Sequence, residues 1–426
     1  MKFIYNFISS ILKKTSLETS LKNDYVVNLS NKPDQAIESV LNATGEVSSL
    51  VYSEHILSLF AEFDDKQKME FFTILLNKYD LNSSELIDSI NEYQATPSQK
   101  GMASVLALSH PQWDKLFKRM NSTSDGTVKL VHLREDLLKM RKNHPELGRL
   151  DVSLLDMFKT LFNPGYLVME PIDWNTPANI LEKIIAYEAV HEISSWEELR
   201  SRLEPEDRKC FAFFHLAMPE EPLIFVEVAL TESIPDSIQN VLSSERNIIP
   251  HSKSTTAVFY SISNCQNGLV GVSFGNFLLK QVIGQLKEEI PTLSNFVTLS
   301  PVPGFMKWLE KNDTESFNRY SQLSLEKTSS KHKDHLYELM AKYLLVSDRP
   351  DQLPNDPVAR FHLGNGASVE RFNFMGDVSE RGMKQSSGMM VNYLYDIDLL
   401  EKYHEDYSRN QEIHASDTIK NILKVS

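Results

Sequence analysis

Three short segments of the chain bring together residue types able to do chemistry. The first is Gln266-Asn-Gly-Leu-Val-Gly-Val-Ser-Phe-Gly-Asn276. Gly268, Gly271 and Gly275 permit close backbone approach and positive φ. Between a strand ending near Ile262 and a helix opening near Phe277, such a segment makes an anion cradle, because free N–H groups and the positive end of a helix dipole meet there. A pyrophosphate fits it, with Val270, Gly271, Val272, Ser273, Phe274, Gly275 and Asn276 as its contacts; a ligand-free glycine turn fits the same spacing. The second segment is Phe296-Val-Thr-Leu-Ser-Pro-Val-Pro-Gly-Phe305, which puts Ser300 at the end of a strand with two prolines fixing the backbone beyond it. Taken alone, Ser300 reads as a cap for a short helix from Phe305. The third is Phe361-His-Leu-Gly-Asn-Gly-Ala367, with His362 read in a strand over Val358–Leu363, just before an Asn-Gly turn. A lone strand histidine reads as structural until partners are found for it.

These segments need elements to hold them. Up to about residue 160 the apolar residues recur at helical spacing, as in Leu130, Leu133, Leu137 and Leu138 and again in Leu154, Leu155, Phe158 and Phe162. Asn82 to Glu85 has the spacing of a helix cap, and Thr96-Pro97-Ser98-Gln99 reads as a cap at Thr96 with proline at the first helical position. Asn163-Pro-Gly165 is a turn signal and marks a boundary between domains over 1–162 and 163–426. Beyond it come β-type runs: Cys210–His215 and Leu223–Ala229, paired as a hairpin across Pro219–Pro222, then Thr256–Ile262, Phe296–Leu299 and Val369–Phe374. Helical stretches at Phe277–Lys287 and His335–Leu345 intervene, and the polar residues from Lys311 to Asp334 read as an exposed excursion. An all-α first domain followed by strands mixed with helices indicates an α/β or α+β second domain.

The totals exclude several functions. A chain of 426 residues with 41% hydrophobic and 24% charged residues is globular and long enough for two cores. A net charge of -14 argues against nucleic acid as a partner, since that affinity comes from lysine and arginine on phosphates. The two cysteines, Cys210 and Cys265, make neither a disulfide framework nor a CxxC metal site and fit a reducing compartment. Glu54-His55 and the pair His332 and His335 lack further ligands, so no metal is expected. No apolar run reaches the length of about 18 residues that suits a membrane span. Met1 to Ser16, apolar with Lys2, Lys13 and Lys14, reads as an ordinary amphipathic helix rather than a secretory signal, and the C-terminal Lys-Val-Ser426 is no peroxisomal address. HExxH, Walker A and GxSxG motifs and internal repeats are all missing.

In order and wording, strand, glycine loop, helix, strand, Ser-Pro-x-Pro-Gly-Phe305 and then His-Leu-x-Asn-Gly-Ala367 resemble the malonyl-CoA decarboxylase family. So do Phe259-Tyr-Ser-Ile-Ser263, Phe305-x-x-Trp-Leu309, Asp377-Val-Ser379, Asn392-Tyr-x-Tyr395, Asn163-Pro-Gly165 and Glu221-Pro-Leu223. The resemblance covers the chain from about residue 110 onward. It implies an α+β protein, with an all-α N-terminal domain that supports or oligomerises, followed by an α/β catalytic domain of the GCN5-related acetyltransferase (GNAT) fold with coenzyme A pyrophosphate on the glycine loop. It implies Ser300 and His362 as the catalytic pair, Tyr395 near the substrate, and conversion of malonyl-CoA to acetyl-CoA and CO2 without any cofactor beyond the coenzyme A of the substrate. It further implies a homo-oligomer, a dimer or a tetramer, in the cytoplasm or alternatively the mitochondrial matrix. The family commonly carries an acidic residue where this chain has Ser273. Two other readings stay open: a GNAT-type acyltransferase, and a coenzyme A-binding regulatory protein with little turnover.

Overall fold

The computed structural model describes residues 29–272, 274, 277–323 and 328–425. The expected amphipathic helix of the first sixteen residues, and Ser273, Gly275 and Asn276 of the glycine loop, lie outside the described residues. The chain divides into two compact units. One runs to Val168 and takes in Phe214–Glu221 and the segment beginning at Gln266; the other holds the rest.

The first unit is built from helices α1 (Pro33–Asn42), α2 (Glu46–Glu62), α3 (Asp65–Lys78), α4 (Ser83–Ala95), α5 (Gln99–Leu108), α6 (Gln112–Asn121), α7 (Gly126–Arg141) and α8 (Gly148–Leu161). Local chemistry sets their starts. Asp64 and Gln67 form a reciprocal capping box at α3, and the Asn82 side chain accepts from Glu85 N at α4. At α5 the cap is Ser98, which accepts from Gly101 N, and not Thr96. Thr96 instead ends α4, its N–H donating to Glu92 O, so the helix cannot begin until two residues later. Leu130, Leu133 and Leu137 of α7 and Leu154 and Phe158 of α8 are buried, as their spacing predicts.

The second unit centres on a sheet in the order β1-β2-β3-β4-β5-β8-β6, with β7 also on β8. Its strands are β1 (Leu167–Pro171), β2 (Arg208–His215), β3 (Ile224–Thr231), β4 (Thr256–Asn264), β5 (Asn295–Thr298), β6 (Ser300–Pro301), β7 (Ser368–Asn373) and β8 (Met390–Leu394). β2 and β3 form the expected antiparallel hairpin. β4 and β5 are parallel, joined through the glycine segment and the helix Phe277–Glu289. The fold class is the expected one, a helical N-terminal region followed by a mixed α/β sheet domain.

The period-2 alternation of strands sorts side chains onto two faces. Val258, Tyr260, Val297, Leu299 and Met390 join Ala229, Ile238 and Val241 in one apolar cluster. The intervening residues Phe259, Thr298, Ser300, Tyr393 and Tyr395 therefore share the opposite face.

Two expectations fail here. Val358–Leu363 is not a strand; Pro357–Gly364 is a helix and His362 lies in its last turn. Asp356 forces this, its carboxylate accepting from Val358 N and Ala359 N, with Pro357 at the first helical position. The stretch from Lys311 to Asp334 is not a bare excursion either. It contains the helix Thr314–Tyr320, which buries Ser316 and Tyr320, and the start of the helix Ser330–Leu345.

Candidate active site

Ser300 stands where the sheet changes partner. Thr298 ends β5, and Ser300 opens β6, paired antiparallel with Val391 of β8. Thr298 and Ser300, two residues apart, project to one face, and Ser300 Oγ donates to Thr298 Oγ1 at 2.8 Å. Thr298 Oγ1 also accepts from Tyr393 N at 3.1 Å, which ties the pair to β8. From the other side of β8, the buried Asn392 amide donates to Thr298 O at 2.8 Å.

His362 meets this face from the end of its helix. The helix leaves through the Asn365-Gly366 turn. Gly366 has φ +84°, and a Cβ there would fall 2.1 Å from Leu400 O, so the turn needs glycine on both counts. His362 Nε2 lies 3.0 Å from Ser300 Oγ, and its Nδ1 lies 2.8 Å from the Tyr395 hydroxyl. The Tyr393 ring stacks on the imidazole, centroids 4.7 Å apart at 27°. Phe259 of β4 meets the Tyr395 ring edge-on.

The hydrogen bonds run in one direction. Ser300 gives its proton to Thr298, so it must accept from His362, and the Nε2 nitrogen carries the hydrogen. Nδ1 then has a free lone pair and accepts from the Tyr395 hydroxyl. The chain is Tyr395 to His362 to Ser300 to Thr298, with each hydroxyl or ring nitrogen engaged. Ser300 and His362 are 5% and 4% exposed, which makes any charge on the imidazole costly. Burial drives the His362 pKa down to about 3, and the same burial holds the Tyr395 phenol well above its ordinary value. The imidazole is therefore neutral at physiological pH.

The glycine segment is held within the first unit. Asn267–Leu269 is a short 3-10 turn, and a Cβ on Gly268 would lie 1.9 Å from Val131 O of α7, so only glycine permits this approach. Gly271 has φ +86°. Val270 and Gly271 are exposed, Val272 is buried and Phe274 is half-buried. Thus Ser300, His362 and Tyr395 form one bonded group within the second unit, and Gly268 and Val270 of the glycine segment are gripped by α7 within the first.

Several residues here escaped the sequence reading. Thr298 was legible in principle, since it precedes Ser300 by two residues on a strand. Tyr393 sits within a quoted motif but had no assigned role. Arg134 of α7, which donates to Gly268 O, carries no local signal in the sequence. Among the described residues, one set could offer three ligand atoms to a metal, Asp406, Glu412 and His414. Two of its members are hydrogen-bonded to each other, His414 Nε2 and Asp406 Oδ2 at 2.9 Å, under a stacked Tyr403 ring.

Fold and site together define an α+β protein with a buried, neutral serine–imidazole–phenol chain on one face of a mixed sheet. Comparison with known proteins narrows the class. The model of the malonyl-CoA decarboxylase C-terminal domain matches residues 165–426, and that of the N-terminal domain matches residues 79–162. The mitochondrial malonyl-CoA decarboxylase of Anser anser anser is 34% identical over 347 residues, 72% of this chain and 69% of that protein. The Mus musculus protein of the same name is 32% identical over 357 residues, 74% and 71% of the two chains. Among solved structures, malonyl-CoA decarboxylase from Rhodopseudomonas palustris is 41% identical, covers 92% of this chain and 100% of its own, and superposes with a TM-score of 0.87. The corresponding protein from Agrobacterium vitis is 42% identical with a TM-score of 0.84. The chain belongs to the malonyl-CoA decarboxylase family.

Proposed function

We propose that this chain converts malonyl-CoA to acetyl-CoA and CO2, with Ser300 and His362 as the catalytic pair. The observation that carries the reading is the buried contact of Ser300 Oγ with His362 Nε2 at 3.0 Å, in a chain of this family. The parallel β4–β5 pair, with a glycine segment and a helix between its strands, supports the GCN5-related acetyltransferase resemblance and coenzyme A pyrophosphate at residues 266–276.

Malonyl-CoA carries a carboxylate β to a thioester carbonyl. Breaking the carbon–carbon bond releases CO2 and leaves the electron pair as an enolate spread onto the thioester oxygen. The substrate is its own electron sink, so the reaction calls for no cofactor. The protein must strip water from the carboxylate, give hydrogen bonds to the growing oxyanion and return a proton to carbon.

The Ser300 hydroxyl, which rests on Thr298, turns to donate to the enolate oxygen or to orient the carboxylate. His362 holds the proton. A thioester enolate is a much stronger base than imidazolate, so the neutral Nε2–H serves as the acid, and the Tyr395 hydroxyl delivers its proton to Nδ1 as Nε2 gives its own away. Solvent later restores the phenol. The balance is one carboxylate and one proton consumed for one thioester and one CO2. Cleavage needs no charged imidazole, which suits a residue that burial keeps neutral.

The test is mass spectrometry of the products from malonyl-CoA, run in D2O with an added amine. The expected products are CO2 and acetyl-CoA carrying one deuterium. Acylated amine would indicate an acyltransferase, and unchanged malonyl-CoA with tight binding a regulatory protein.

A further inference from the structure

Arg134 is buried in the middle of α7, 1% exposed, where an arginine is costly unless every donor is used. Its Nε donates to Asp151 of α8 at 2.7 Å, and Asp151 is also bound by Arg141. The two remaining nitrogens leave the helices. One donates to Gly268 O at 2.6 Å and the other to Val270 O at 2.9 Å. One planar guanidinium thus spans alternate carbonyls of the glycine segment, a geometry a lysine ammonium cannot reproduce.

This contact fixes peptide orientation. A trans peptide is planar, with its carbonyl and its N–H on opposite sides. The chain has no cis bond among its described residues, so pulling Val270 O toward Arg134 turns the Gly271 N–H away from α7. Gly271 is exposed, and with Val270 at φ −54° and ψ 128° its φ of +86° makes it the third residue of a type II turn, whose closing hydrogen bond to Leu269 O uses the Val272 N–H and not that of Gly271. Gly268 makes the grip possible, because any Cβ there would collide with Val131 O.

We propose that Arg134, anchored by Asp151, is a positioning residue for acyl-CoA binding: it holds the Gly268 and Val270 carbonyls so that the Gly271 amide faces the pyrophosphate. The inference rests on the reading that this loop holds coenzyme A. Arg134 touches no substrate. Its effect belongs to KM and not to the bond-breaking step.

The experiment compares malonyl-CoA with malonyl-pantetheine, which keeps the reacting atoms and lacks the nucleotide pyrophosphate. For Arg134→Lys and Arg134→Met, KM for malonyl-CoA should rise about 10- to 100-fold, the worth of a hydrogen bond to a charged group, with kcat within about twofold. Their kcat/KM for malonyl-pantetheine should match the wild type. Equal losses on both substrates, or an unchanged KM for malonyl-CoA, overturn the proposal. A wild type that uses both substrates with the same KM instead removes the pyrophosphate from the loop. Hydrogen exchange of the Gly271 amide, measured on the wild type with free coenzyme A, needs no variant to fold. Slowing is expected, and an unchanged rate contradicts the assignment.

Discussion

His362 Nδ1 lies 2.8 Å from the Tyr395 hydroxyl and accepts from it, because Ser300 gives its own proton to Thr298 and leaves the imidazole hydrogen on Nε2. With Tyr395 donating, Nε2 keeps its proton and aims it at Ser300. Burial keeps that imidazole uncharged. The first prediction concerns this state directly. Nitrogen NMR of labelled histidine should find His362 as the neutral Nε2–H tautomer down to pH 5, with titration only toward its depressed value of about 3. A midpoint near the ordinary 6.5 would show that the ring is solvated and able to charge.

Tyr395→Phe removes the partner of Nδ1 and frees the ring to adopt either tautomer. The buried nitrogen loses its donor at a cost of about 1–3 kcal/mol. We expect kcat to fall about tenfold or more, within the range of general-acid contributions, with KM little changed. Unaltered kcat would remove Tyr395 from the proton path.

Thr298 accepts from both Ser300 Oγ and Tyr393 N. Thr298→Val keeps the volume but leaves both donors without an acceptor, so stability should drop by about 1–3 kcal/mol, and Ser300 should lose its resting orientation. Thr298→Ser retains the oxygen and should restore most of kcat. Equal activity of the valine and serine variants would assign Thr298 to packing alone.

Acid should destabilise the fold through its buried imidazoles. Burial lowers both His362 and His191, to about 3 and about 4. Their stabilising effect is fully present above pH 6.5, where folded and unfolded chains are both neutral. As pH falls below 6.5 the unfolded chain takes up protons that the folded chain refuses. Each group then costs about 1.4 kcal/mol per pH unit until its folded value is reached. Denaturant unfolding between pH 7 and pH 5 should show this loss, and His362→Gln should reduce its slope. A stability independent of pH over that range would contradict it.

Much of this architecture is legible in the residues. The β2–β3 hairpin, β4 and β7 announce themselves through runs of branched and aromatic side chains. The helix carrying His362 does not, because Val358-Ala-Arg-Phe-His-Leu363 mixes apolar and polar residues in a way both periods accommodate. The deciding signal lay just upstream in Asp356-Pro357, a cap followed by a first-position proline. The stretch after Lys311 misleads for a different reason: its charges occupy one side of the helix Thr314–Tyr320 while Ser316 and Tyr320 go inside. Ser300 and His362 are separated by sixty-two positions, so nothing local reveals their contact. Their order behind the glycine loop does. Arg134 was beyond reach, since its role depends on a loop more than a hundred residues away.

The central claim is that Ser300 and His362 act as one unit in releasing CO2. It is tested most directly by CO2 release from carboxyl-labelled malonyl-CoA for Ser300→Ala, His362→Asn and the double variant. Each single change should lower kcat by about 10² to 10³, and the double variant should be little slower than the slower single one, as for residues that share one function. Near wild-type turnover in both single variants, or strictly multiplicative losses in the double, would contradict the account.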